Sequence, residues 1–318
     1  MQVRLLSLWL LVACVGTNLQ AELDEYGWMQ LTSDDGTLVI DAKVNGVPAK
    51  LMFDSGSSIN AISAELAAQA GVAVNKSRSI SVRGAFDQTD VNLSGDFKLE
   101  LGDTEVTLTG FPIMQSATEV ILGRDIFQRM IVQVDYPNNR MRLLEYDQMQ
   151  FSSNIKYKVG AGDAPLVRAS VNGKRAWFLL DTGNSGICLL TRKYVSRYDL
   201  DEYRVEGVQA SGMGVHRRMG IQLLKLPELN LGPFTFEGFL AGYADDKNDG
   251  LDGSMAKYGS LLRTSATDFD GVLGYEIMRH FIITMKLGDN MVHLAVPCSA
   301  SAETWRYHRV MHDLALNE

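Results

Sequence analysis

Once its first 20 residues are passed, this chain has no long apolar run, so no later segment reaches the roughly 20 residues of a membrane-spanning helix. Positive charge is in short supply. Lys and Arg number 30 against 38 Asp and Glu, and a formal net charge of −8 gives a nucleic-acid partner no electrostatic support. Cysteine is scarce as well. One of the three, Cys14, lies in the N-terminal segment, leaving Cys188 and Cys298 either to pair in an oxidising compartment or to fill the core as free thiols. No His or basic residue flanks either one, so neither reads as a nucleophile. A Ser/His/Asp triad and a phosphate-cradling Gly loop with Lys are also missing. His308 and His312 share one face of a helix expected over 302–316, but the Glu of a His-Glu-x-x-His site is absent. The acidic run 245–253 fails as a calcium loop, because Lys247 and Ala256 stand where ligands are needed. No metal and no cofactor is expected.

The N-terminus reads as a targeting segment. Arg4 precedes an apolar run over 5–15 that is too short to span a bilayer, and cleavage after Ala21 would give a mature chain opening on Glu22. Secreted or periplasmic localisation follows. Leu11-Val12-Ala13-Cys14 also fits a bacterial lipobox, in which Cys14 would be acylated and anchor the protein to a membrane.

What the chain does have is internal repetition. An apolar strand runs into an acidic turn at Leu51-Met52-Phe53-Asp54-Ser55-Gly56-Ser57-Ser58 and again at Phe178-Leu179-Leu180-Asp181-Thr182-Gly183-Asn184-Ser185. Val44-Asn45-Gly46 precedes the first and Val171-Asn172-Gly173 the second at the same distance, each a hairpin-turn signal. Downstream, Val120-Ile121-Leu122-Gly123 is matched by Gly271-Val272-Leu273-Gly274, and β-rich runs follow over 130–134 and 280–284. With 318 residues, 46% of them hydrophobic, the chain can bury the cores of two domains. The remaining pattern is mostly β, with short helices expected over 63–70 and 191–198 and a turn at Asn138-Asn139.

Two Asp-Ser/Thr-Gly turns, each with its hairpin and its own hydrophobic-hydrophobic-Gly element, resemble the aspartic protease clan of pepsins and retroviral-type proteases. The resemblance implies an all-β fold of two similar retropepsin-like lobes in a pepsin-like bilobal arrangement, with a cleft between them. Residues 1–21 are assigned to the signal peptide, 22–146 to the N-terminal lobe, 155–298 to the C-terminal lobe and 299–318 to a helical tail. It implies an aspartic endopeptidase in which Asp54 and Asp181 share a proton and activate water, one as base and the other as acid. Ser55 and Thr182 would join the two turns through their hydroxyls, while Gly56 and Gly183 would allow close approach of backbone and water. Ser57 and Asn184 would donate to the outer carboxylate oxygens, and Gly123 and Gly274 would pack beneath the turns. A flap over the cleft falls at Gly84 and Phe86 in one lobe and at Gly212, Met213 and Gly214 in the other. The implied partner is a peptide or protein substrate bound as an extended strand. A monomer suffices for this site, the competing geometry being a dimer in which each Asp meets its twin. Singly, either motif is an ordinary turn. The rival function is an inactive peptide-binding envelope protein that keeps the fold.

Overall fold

The computed structural model describes residues 27–34, 37–83, 88–102, 104–115, 118–206, 210–213, 218–244, 269–297 and 304–306. The N-terminal lobe opens with β1 (Met29–Gln30) and β2 (Thr32–Asp34), followed by the hairpin β3 (Thr37–Val44) and β4 (Val47–Phe53). Asn45 and Gly46 both take positive φ, 48° and 81°, the two-residue turn whose twist suits paired strands. β5 (Ala61–Ser63) leads into α1 (Ala64–Gln69), where the Ser63 hydroxyl accepts the Leu66 N–H as N-cap. β6 (Val74–Arg83) and β7 (Gln88–Ser94) form a separate two-stranded sheet. The lobe continues through β8 (Phe97–Leu101), β9 (Thr104–Leu108), β10 (Ile113–Met114), β11 (Val120–Leu122), α2 (Arg124–Arg129), β12 (Ile131–Asp135) and β13 (Arg140–Leu144). β11 lies between β5 and β4, running parallel to β4 with Leu122 beside Phe53. Two motifs some 70 residues apart in sequence are therefore strand neighbours, which is why each half carries both.

The C-terminal lobe repeats the plan. β14 (Tyr157–Val159) precedes the hairpin β15 (Pro165–Val171) and β16 (Lys174–Leu179), which turns through Asn172 and Gly173 at φ 49° and 74°. β17 (Cys188–Leu190) enters α3 (Arg192–Arg197), which Thr191 caps through the Tyr194 N–H. β18 (Ala210–Met213), β19 (Arg218–Leu231), β20 (Phe234–Ala244), β21 (Gly271–Val272), α4 (Tyr275–Met278), β22 (Ile282–Lys286) and β23 (Met291–Ala295) complete it. β19 and β20, 14 and 11 residues long, were not foreseen from sequence. Each fuses segments that the first lobe keeps as separate short strands. Pro227 and Gly238, at φ 70°, fall opposite each other and interrupt the register without ending the strands, and Gly232 at φ 59° makes the turn between them.

The helix expected over 302–316 is corrected where the structure describes it. Thr304–Arg306 is a strand, β24, parallel to β20. A β-branched and an aromatic residue suit a pleated surface, and the edge of β20 offers unpaired backbone that a lone helical turn lacks. The rest of that tail, with His308 and His312, lies outside the described residues. So do the targeting segment with Arg4 and Cys14, the acidic run 245–253, and Cys298.

One five-stranded sheet, in the order β1-β13-β12-β22-β23, draws strands from both lobes. At its centre β12 and β22 run antiparallel, with Gln133 opposite Thr284 and the Gln133 Nε2 donating to Thr284 Oγ1 at 2.8 Å. Thr284 stands as far after Gly274 as Gln133 after Gly123, so a pseudo-twofold axis passes through this pair. Phe127, Val132 and Val134 from one lobe and Met278, Phe281 and Ile283 from the other belong to one continuous buried cluster. Tyr146 adds a clamp, donating to Gln128 O while accepting the Gly288 N–H at 3.1 Å. The lobes are thus held by shared sheet and shared core, and not by a linker alone.

Candidate active site

Asp54 and Asp181 sit on the loops that leave β4 and β16, and both are 0% exposed. Keeping charge on a carboxylate so far from water is expensive. Asp54 Oδ1 accepts the N–H groups of Gly56 and Ser57 at 2.8 and 3.1 Å. Asp181 Oδ1 accepts the Gly183 N–H at 3.0 Å.

The neighbouring hydroxyls join the two turns reciprocally. Ser55 Oγ donates to Leu180 O at 2.7 Å and accepts the Thr182 N–H at 3.0 Å. Thr182 Oγ1 donates to Phe53 O at 2.7 Å and accepts the Ser55 N–H at 2.9 Å. All four bonds cross between lobes, and Ser55 is fully buried and Thr182 nearly so. The turns are in contact: a Cβ built on Gly56 would overlap the Asp181 carboxyl group. Glycine is required there by the other lobe's carboxylate, not by its own backbone conformation.

Gly123 and Gly274 pack under the turns, where a Cβ would strike Ser57 O and Ile59 O in one lobe and Gly186 O and Ile187 in the other. The roles expected for Ser57 and Asn184 are corrected. Ser57 Oγ donates to Ile59 O at 2.6 Å, and its backbone N–H is what reaches the carboxylate. Asn184 Nδ2 donates to Leu273 O at 3.1 Å and Ile187 O at 3.4 Å, tying its turn to the Gly274 element. Both side chains brace loop carbonyls, because a sharp turn exposes backbone acceptors that the buried site must satisfy.

Above each Asp strand sits a hairpin with its own small apolar cluster. Val82, with Ile80 and Val91, packs on Met52 and Ile121. In the other lobe Ile221 and Leu223 pack on Leu179 and Val272. The loops they carry, 84–87 with Gly84 and Phe86 and 214–217 with Gly214, lie outside the described residues. Gly212 and Met213 end β18, in register with Met219 and Arg218.

Three residues that sequence reasoning passed over also belong to the site. Asn60 Oδ1 accepts the Gly123 N–H at 2.8 Å. Tyr136 is fully buried, its phenol raised well above the usual range by burial and then by the nearby Asp181 carboxylate. Arg124 is 3% exposed and its Nε donates to Ser57 O at 3.2 Å. A cation directly after the run Val120-Ile121-Leu122-Gly123 was the available signal for Arg124; Asn60 and Tyr136 had none. Cys188 is a buried free thiol, pushed up to about 12 by desolvation, which removes it as a nucleophile. Among the described residues no group of three or more His, Cys, Asp or Glu is placed to hold a metal ion.

Residues 40–129 match the family described as gag-polyprotein putative aspartyl protease, and residues 167–277 match the family described as aspartyl protease. The chain is a tandem of two aspartyl protease domains. Each match contains one acidic turn and one hydrophobic-hydrophobic-Gly element, so the two domains are the two lobes of the structure. Aspartyl protease domains point to a hydrolase of peptide bonds. Comparison with curated proteins gives no match.

Proposed function

We propose that this protein is an aspartic endopeptidase whose dyad is Asp54 and Asp181, assembled within a single chain. The observation that carries the reading is the reciprocal bonding of Ser55 and Thr182, which seats two buried carboxylate turns against each other across the lobes. A turn with no chemical task has no reason to place a carboxylate there twice.

In the proposed reaction the ionised carboxylate removes a proton from water as its oxygen bonds to the scissile carbonyl carbon. The protonated carboxyl gives its proton to the carbonyl oxygen. The gem-diol then collapses, the C–N bond breaks, and a proton passes to the leaving amine. The substrate is an extended peptide lying beneath the hairpins β6–β7 and β18–β19. The unit is a monomer, since β12 and β22 already supply the sheet that a second copy would otherwise provide.

Cleavage of a diverse peptide library from pH 3 to 7 by wild type, Asp54→Asn and Asp181→Asn tests this. Loss in both variants supports one dyad in cis. Activity surviving either substitution overturns it, and a wild type silent at every pH supports the peptide-binding reading. Export is proposed on the strength of residues 1–21. Sequencing of the mature N-terminus separates a chain starting at Glu22 from one acylated at Cys14.

A further inference from the structure

The two half-sites share their backbone plan yet differ in charge. Arg124 N donates to Ser57 O at 2.9 Å, and at the matching place Tyr275 N donates to Asn184 O at 3.0 Å. One lobe therefore sets a guanidinium beside its acidic turn where the other sets a phenol. Arg124 is further tied to the Asp54 turn through its Nε on Ser57 O, and the Ser57 N–H in turn bonds Asp54 Oδ1. Its two terminal nitrogens are buried and have no hydrogen-bond partner among the described residues.

Arginine does not give up its proton under such conditions, so its charge must be balanced through space. Burial pulls its guanidinium below the usual range, and Asp54 foremost, then Asp163, Asp181 and Tyr157, act against that through space. Asp163 is exposed to solvent, where screening weakens it, and the Tyr157 hydroxyl is buried and neutral at ordinary pH. The dyad is the compensating anion within the buried region. Asp181 faces the buried, uncharged Tyr136 from the other lobe.

We propose that Arg124 is a positioning residue that makes the dyad unequal, holding Asp54 as the carboxylate and leaving the shared proton on Asp181. This rests on the dyad reading above and assigns its roles: Asp54 is the base toward water and Asp181 the acid toward the carbonyl oxygen. A symmetric pair would exchange those roles freely, whereas a fixed cation on one side commits them before substrate arrives.

The test follows the carboxyl carbon-13 shifts of both aspartates from pH 2 to 9, assigned with Asp54→Asn and Asp181→Asn. It needs no turnover, so a protein that cleaves nothing would sink the protease reading and leave this measurement standing. In wild type the lower apparent midpoint belongs to Asp54. Arg124→Met raises the Asp54 midpoint by about one unit and that of Asp181 by less. Arg124→Lys, which keeps the charge and loses the planar fork, stays close to wild type. Asp163→Asn shifts the Asp54 midpoint slightly down, and Asn tolerates the left-handed φ of 60° at that position, so this variant is expected to fold. In active enzyme the acidic limb of the kcat/KM profile moves with the Asp54 midpoint. Superimposable curves for wild type and Arg124→Met, or a larger shift at Asp181, overturn the proposal. Should Arg124→Met fail to fold, a wild-type Asp54 midpoint at or above that of Asp181 overturns the proposal instead.

Discussion

The two lobes agree where the acidic turns meet and diverge elsewhere. Both have the Asn-Gly hairpin, the Asp turn, the capped short helix and the glycine that packs beneath the turn. They differ in the hairpin over the cleft, which stands free as β6–β7 in one lobe and merges into a nine-stranded sheet through β18–β19 in the other. They differ again between Met114 and Val120, a connection of five residues that becomes 26 between Ala244 and Gly271. Contact between the two acidic turns thus constrains the layer of backbone that touches both. Outside that layer, each lobe only has to keep its own core closed.

That comparison can be broken at four depths. The greatest effect lies at the proposed dyad, where agreement between lobes is strictest. Asp54→Asn and Asp181→Asn are each expected to lower kcat by about a thousandfold or more, as loss of an acid or base does; near wild-type kcat in either variant would mean that one lobe is dispensable. Next is the contact across the axis. Gly56→Ala pushes a methyl into Asp181 and should cost about a hundredfold in kcat/KM, while Gly186→Ala, with only Asn184 Oδ1 near at 3.8 Å, should be almost silent. Equal kinetics for the two alanine variants would remove the tight packing of the turns from the account.

The third depth is the hydroxyl bracket. Ser55→Ala and Thr182→Ala each strand buried donors and acceptors and should destabilise by about 1–3 kcal/mol in urea titrations. Thr182→Ser keeps every bond and should cost less. The double alanine variant should lose less than the two single losses combined, because the residues act on each other; simple additivity would contradict the reciprocal geometry.

The smallest effect marks a difference between lobes. His280 follows α4, and burial first, then Arg279, pulls its imidazole down to about 4 from 6.5. The unfolded chain takes up a proton near 6.5 and the native one only near 4. Stability is therefore full above that window and falls as pH drops through it. Because the ring is only partly buried the loss should be about 1 kcal/mol. His280→Gln should flatten unfolding midpoints between pH 4 and 6.5, and an unchanged slope would place the effect elsewhere. The corresponding residue in the first lobe is the exposed Arg129.

Much of this was legible in one dimension because it is local chemistry repeated. Asn45-Gly46 and Asn172-Gly173 announce positive-φ turns, Ser63 and Thr191 announce helix caps, and an apolar strand ending in Asp-Ser-Gly or Asp-Thr-Gly announces an acidic turn. Repetition turned two weak signals into one strong one. The long strands β19 and β20 and the short β24 were not legible, since their pairing partners, not their own residues, decide them. The side chains of Ser57 and Asn184 were misassigned for a related reason: which acceptor a donor reaches depends on loop carbonyls that only the folded turn brings close.

By itself, then, the sequence determined that there are two lobes, that each bears one carboxylate on a turn, and that glycine underlies each turn. These follow from backbone conformation and from period, which act over a few residues. Only the tertiary structure decided that the turns meet in one chain through Ser55 and Thr182, that β12 and β22 join the lobes, and that Arg124 is buried beside one half-site. Each of those depends on contacts between residues more than 60 positions apart, where packing and desolvation set the outcome and no local preference can.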